Sequence, residues 1–137
     1  MTEEEKNESA PIAAAIIASE GRVLMVRRRV KEGKLSWQFP AGEVEKGERG
    51  DEAAVRETRE EVGVEVSAIR VLGERVHPNT GRTMVYVACE LNGDQTAQVV
   101  DTEELAELAW CDHALLNEYV PYPFFEPVQD YLNTKLK

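Results

Sequence analysis

A chain of 137 residues, 42% hydrophobic and 31% charged, is sized and composed for one globular domain with a single core. Its formal net charge of −10 argues against a nucleic acid polymer or a membrane surface as a main partner, and against a polyphosphate ligand unless a cation intervenes. The apolar run Pro11–Ser19 is too short to cross a bilayer and follows an acidic leader where a signal peptide needs a basic one, so a cytoplasmic location is expected.

Residues 1–10 read as a solvated, disordered acidic tail, and residues 11–137 as the single domain. Ile12–Ser19 reads as a buried strand. The turn signal at Ser19–Arg22 joins it to a second strand, Arg22–Val30, so a hairpin is expected. Lys31–Gly42, punctuated by glycine and proline, reads as a loop. A helix is predicted from Asp51 to Val62, closed by Gly63, with Asp51 and Glu52 suited to its positive end. No Ser or Thr cap precedes it. Val64–Val76 and Arg82–Leu91 are strand-like around the turn His77–Gly81. "TAQVV" (Thr96–Val100) and "ELAW" (Glu107–Trp110) read as shorter strands, and "DHALLNEYV" and "EPVQDYLNTKLK" as helices. Strands and helices mix without βαβ alternation, which predicts an α+β fold: a mixed sheet with helices packed against it. Cys89 and Cys111 fit no metal or redox spacing and read as buried free thiols.

The segment Gly42–Val64 carries Glu43, Glu45, Glu48, Asp51, Glu52, Glu57, Glu60 and Glu61. A helix turns about 100° per residue, so Glu60 and Glu61 fall within about 60° of Glu57 on either side. Ala53 and Ala54 lie on that side one turn earlier, a floor of small side chains that something can approach closely. Val55, Thr58 and Val62 lie on another face, free to pack on a sheet. Two readings fit the carboxylates. One is a solvated acidic face, the usual fate of a charge run. The other is a site for a hard divalent cation, which converts the mutual repulsion into binding. No EF-hand loop and no P-loop is present.

Gly42, five residues, Glu48, seven residues, then Arg56-Glu57-Thr58-Arg59-Glu60-Glu61-Val62-Gly63-Val64 resembles the Nudix box, G-x5-E-x7-R-E-U-x-E-E-x-G-U. Thr58 departs from the pattern, standing where the family usually has a larger aliphatic. The resemblance implies an α/β/α sandwich with a mixed sheet between helices. It implies hydrolysis of a nucleoside diphosphate linked to another moiety, with Mg²⁺ or Mn²⁺ as cofactor. Carried over, Glu57, Glu60 and Glu61 are the carboxylates around metal, with Gly42 offering its carbonyl. Arg56 holds Glu57 or Glu48 in place through charge-assisted hydrogen bonds, and Glu48 completes that network. Family members take their general base from the box or from a later loop. Here Glu104, from Asp101–Trp110, is the candidate for an extra ligand or base, against a solvated loop.

The substrate clues are thinner. Arg28, in "VRRRV", is a candidate nucleotide contact, against a surface salt bridge. Trp37 is a candidate for lining a base pocket, against core packing. Phe125 stands where MutT-like members have an Asn that reads an oxidised guanine; a Phe stacks on a base but does not read its edge, and core is the competing reading. The expected partner is a small nucleotide, in a monomer or homodimer. The leading expectation is a MutT-like enzyme that converts a nucleoside triphosphate to the monophosphate and pyrophosphate. ADP-ribose or another sugar nucleotide is the alternative substrate, and a non-catalytic nucleotide sensor the alternative class.

Overall fold

The computed structural model describes residues 10–29, 35–78 and 80–137. The predicted tail therefore lies outside the described residues except for Ala10, whose carbonyl accepts from Arg82. Among the described residues are seven strands and three helices. In chain order they are β1 (Ile12–Ser19), β2 (Arg22–Arg29), β3 (Leu35–Gln38), β4 (Ala41–Glu43), α1 (Gly50–Val62), β5 (Val66–Val76), β6 (Thr83–Leu91), β7 (Leu105–Cys111), α2 (His113–Tyr119) and α3 (Glu126–Lys135).

β1 organises the sheet. It runs parallel to β6 from Ile12↔Met84 to Ile17↔Cys89 on one edge. Its other edge is divided: the start pairs antiparallel with β4 and the end with β2. β2 continues antiparallel to β3 and β7, and β5 pairs antiparallel with β6. Parallel and antiparallel pairs thus share one sheet, the mixed architecture that the sequence predicts.

The alternation of β1 explains the layers. Ala13, Ala15 and Ile17 face a core that also holds Ala53, Ala54 and Val62 of α1. Ala14 and Ile16 face the other core, with Leu116 of α2 and Val128 and Leu132 of α3. Successive strand residues point to opposite faces, so a strand apolar at every position must be covered on both sides. The result is a helix–sheet–helix sandwich. No helix among the described residues is long and apolar enough to cross a membrane. Cys89 and Cys111 are buried and free, and burial pushes their thiols up to about 12 and about 11.

Three segments differ from the sequence reading. The expected loop Lys31–Gly42 contains β3 and β4, because Leu35–Gln38 finds partners on β2 and Ala41–Glu43 finds partners on β1. Residues 30–34, within the predicted second strand and loop, lie outside the described residues. Thr96–Val100 is not a strand. Its N–H groups serve the end of α1 instead: Gln98 donates to the Val62 carbonyl and Val100 to that of Glu61. Those carbonyls have no partner within the helix, and the segment satisfies them. Finally, Ala53 and Ala54 are fully buried. What approaches them closely is the sheet, with Ala13 and Ala15 opposite, and no ligand floor remains at that point.

α1 ends as its sequence predicts. Gly63 is left-handed, at φ 71°, and its N–H donates to Arg59. A Cβ there would stand 3.1 Å from a Val100 methyl. Gly63→Ala is therefore expected to cost about 1–2 kcal/mol from the left-handed backbone alone, seen as a lower urea midpoint with unchanged m-value.

Candidate active site

α1 begins without a Ser or Thr cap: the Glu52 N–H donates to the Asp51 carboxylate at 2.9 Å, and the Glu52 side chain accepts from the Arg49 N–H at 2.9 Å. From that start, the helix carries three glutamates into three different environments. Glu61 is buried, at 4% exposure. Glu57 is largely enclosed and Glu60 is exposed.

Two arginines organise them. Arg56 is bidentate to Glu48, with Nε–Oε2 at 2.8 Å and Nη2–Oε1 at 3.0 Å. Its Nη1 donates to Glu57 at 2.8 Å and to Glu60 at 3.2 Å. Its Nη2 also donates to the Glu43 carbonyl at 2.9 Å. Both glutamates that the sequence offered as its partner are bound at once. Arg28 reaches in from β2. Its Nη2 donates to Glu61 at 2.7 Å and to the Ala41 carbonyl at 3.2 Å, and its Nη1 to Glu104 at 3.2 Å. The second Glu61 oxygen accepts from the Ala41 N–H at 3.2 Å. Arg28 is thus neither on the surface nor aimed at open space; it is the partner of a box carboxylate.

Electrostatics follow from these contacts. Burial pushes Glu61 up to about 7, against the opposing pull of Arg28. Burial also raises Glu57, with Arg56 pulling the other way. Glu48 is held below the usual carboxylate range by its hydrogen bonds from Arg56. Arg56 is raised by the same pairing.

Gly42 has a specific steric role. A Cβ at this position would land on the Glu57 carboxylate, whose oxygens lie directly over the glycine. The backbone of β4 and the carboxylates of α1 therefore meet without an intervening side chain. Among the described residues, no three Asp, Glu, His or Cys side chains are gathered into a ready-made metal cage; Arg28 engages Glu61 and Arg56 engages Glu57. The donor chemistry still suits a hard cation: carboxylate and backbone carbonyl oxygens, no sulfur or imidazole.

The remaining candidates lie elsewhere. Trp37 is stacked on Tyr119, with centroids 4.2 Å apart and planes within 9°. Phe125 packs on Tyr86 at 5.5 Å and lies under the Arg75 guanidinium at 5.0 Å. Both belong to the core on the face opposite α1. A cleft of about 600 Å³ at the far end of β1, bordered by Ser19, Arg22, Glu90 and Trp110, contains none of the box carboxylates. The sequence reading did not single out Ala41 or the Glu43 carbonyl. Both act through the main chain, which side-chain patterns do not signal.

Comparison with known proteins agrees with this geometry. The NUDIX domain family model matches residues 8–131, and the chain belongs to the Nudix hydrolase family. It is 28% identical over 113 residues to the CTP pyrophosphohydrolase of Escherichia coli K12, covering 82% of this chain and 80% of that one. It is 33% identical over 99 residues to putative nudix hydrolase 1 of Caenorhabditis elegans, covering 69% of this chain but only 27% of that longer protein. A NUDIX hydrolase structure from Nitrosomonas europaea shares the fold with a TM-score of 0.76 at 20% identity, over 93% of this chain and 72% of that one.

Two outcomes are expected. The Gly42→Ala backbone is unstrained, but the clash falls on the enclosed Glu57 carboxylate that Arg56 holds, so the variant should melt below wild type as that pair is displaced. Under the divalent-cation reading proposed below, it should also bind Mn²⁺ more weakly by calorimetry, because Glu57 is displaced. The second concerns pH. The folded Glu61 value of about 7 lies above the ordinary 4.5, so the metal-free folded protein binds the extra proton between them. Its contribution to stability is full below about pH 4.5 and is lost as the pH rises through about 7. The stability of metal-free wild type relative to Glu61→Gln should fall across that window, measured by urea unfolding at a series of pH values. A flat difference would mean that the pull of Arg28 cancels the effect of burial on this carboxylate.

Proposed function

We propose that this protein is a divalent-cation-dependent pyrophosphohydrolase that cleaves a nucleoside triphosphate to the monophosphate and pyrophosphate. The observation that carries this reading is the convergence on β4 of Glu57 and the buried Glu61, each held by a separate arginine. A solvated acidic face would not bury Glu61 at 4% exposure. The similarity to the E. coli CTP pyrophosphohydrolase extends over most of both chains and supports a nucleoside triphosphate as substrate.

Mg²⁺ or Mn²⁺, when bound, would neutralise the phosphate oxygens and lower the pKa of the attacking water. Glu57, Glu60 and Glu61, with the Gly42 carbonyl, are the proposed ligands. Arg56 and Glu48 hold Glu57 at a fixed orientation and leave its metal-facing role undisturbed. Glu61, raised toward neutral pH, stands in an environment that favours a proton acceptor or a ligand that gives up its proton to metal. Glu104 is more exposed and is joined to Glu61 through Arg28, which suits a further ligand or the general base. Arg28 carries a charge suited to phosphate oxygens. Trp37 and Phe125, packed on Tyr119 and Tyr86 in the core opposite α1, are assigned no contact with the base. The protein's negative charge and its substrate's are reconciled through the cation. The two free thiols suit a reducing cytoplasm.

A phosphate- and pyrophosphate-release screen across nucleoside triphosphates, oxidised nucleotides and sugar nucleotides, with Mg²⁺ or Mn²⁺, tests the reading. Turnover of a triphosphate with release of pyrophosphate is expected. Preference for ADP-ribose would move the assignment to sugar nucleotides, and nucleotide binding without turnover would make the protein a sensor. Glu61→Gln is expected to lower kcat by about 100-fold or more with the metal present. Unchanged turnover in that variant would refute the role given to Glu61.

A further inference from the structure

We propose that Arg28 is an internal counter-ion that competes with the divalent cation for Glu61: its guanidinium holds that carboxylate in the metal-free protein and must release it before a cation can take it. The inference rests on the divalent-cation reading above and adds to it a residue that sets how readily the site loads.

The acceptors around Arg28 are the first observation. They are one carboxylate at 2.7 Å, a second at 3.2 Å and a main-chain carbonyl at 3.2 Å, from Glu61, Glu104 and Ala41. That is an all-oxygen set of the kind a hard divalent cation selects, with a guanidinium at its centre. Arginine does not deprotonate in proteins, so it leaves by moving. The second observation is how Arg28 comes to be there. Alternation along β2 places it on the same face as Leu24 and Val26, which belong to the core under α1, and the β2–β7 irregularity skips Ala106 of β7, so Glu107 falls opposite Arg27 and Leu105 opposite Arg28. Arg27 pairs with Glu107 at 2.8 Å at the exposed rim, whereas Arg28 turns into the site with 18% of its side chain exposed. The third is the contrast with Arg56, whose bidentate grip on Glu48 leaves it engaged whatever Glu57 does. Arg28 has no bidentate carboxylate partner, and its second partner, Glu104, is 58% exposed.

A cation and a guanidinium brought to the same carboxylate repel strongly in so enclosed a place. The free energy of the Arg28–Glu61 pair is therefore subtracted from the affinity of the site for metal. The competition also protects the metal-free protein, since without Arg28 a buried carboxylate would be left uncompensated. Once released, the guanidinium stays within the cleft as a donor for phosphate oxygens.

Calorimetric titration of the metal-stripped full chain with Mn²⁺, at mildly alkaline pH so that the carboxylates are ionised, tests the competition. Arg28→Met is expected to bind Mn²⁺ about tenfold tighter than wild type or more, and Arg28→Lys to fall between them. The metal-free Arg28→Met protein should melt below wild type and gain more on adding Mn²⁺, a combination that a purely structural role would not give. A folded Arg28→Met that binds Mn²⁺ no tighter than wild type overturns the proposal while leaving the metal reading standing. Failure of both proteins to bind Mn²⁺ overturns both. If the variants do not fold, wild type alone decides. In a Mg²⁺ titration followed by the arginine side-chain N–H resonances in NMR, the Arg28 signal should move in step with metal binding. An unmoved signal at saturation overturns the proposal.

Discussion

The Arg56 guanidinium is shared among Glu48, Glu57, Glu60 and the carbonyl of Glu43, and the geometry of the site depends on that sharing. Glutamates three and four apart on a helix repel. Here one planar cation, with five donors in a fixed fork, converts the repulsion into a set of directed hydrogen bonds. It also joins α1 to the segment that precedes it, because Glu43 and Glu48 lie outside the helix. That link adds to the β4–β1 pairing and the Ala41 N–H to Glu61 bond, which also hold Gly42 under the Glu57 carboxylate.

A second constraint sets the depth of the site. Ala53 and Ala54 on the helix meet Ala13 and Ala15 on β1, and small side chains on both partners let α1 settle close to the sheet. Closeness there draws Glu61 into a buried position, where the loss of water raises its pKa and Arg28 answers the charge. Packing and electrostatics are therefore not separate features of this molecule. The same alanines that complete the core create the low-dielectric setting in which a carboxylate becomes responsive to a proton or a cation near neutral pH.

Much of this was legible from local patterns. The strand Ile12–Ser19 and the helix up to Val62 announce themselves by runs of apolar residues and by Gly63 as the stop. The helical period places Glu60 and Glu61 within about 60° of Glu57 on either side, but does not set their separate environments, with Glu61 buried and Glu60 exposed. The errors have a common source. β3 and β4 carry little strand signal of their own because their partners lie on β1 and β2, and pairings of so few residues leave little trace in a local window. Thr96–Val100 has the composition of a strand, yet its N–H groups go to the end of α1, a choice that depends on where the helix ends in space. The helical period shows that Ala53 and Ala54 share a face with the glutamates, but not that the sheet covers them.

The sequence by itself determined the periodicities, hence the layers of the sandwich, and the spacing that aligns Gly42, Glu48, Arg56, Glu57, Glu60 and Glu61. Those depend on backbone geometry, which every residue carries with it. Only the tertiary structure decided that Glu61 is buried while Glu60 is exposed, that Arg28 belongs to Glu61 and Glu104, and that Trp37 and Phe125 lie in the core opposite α1. Each of these depends on desolvation and on partners brought from distant parts of the chain. Those quantities exist only once the sheet has closed against its helices.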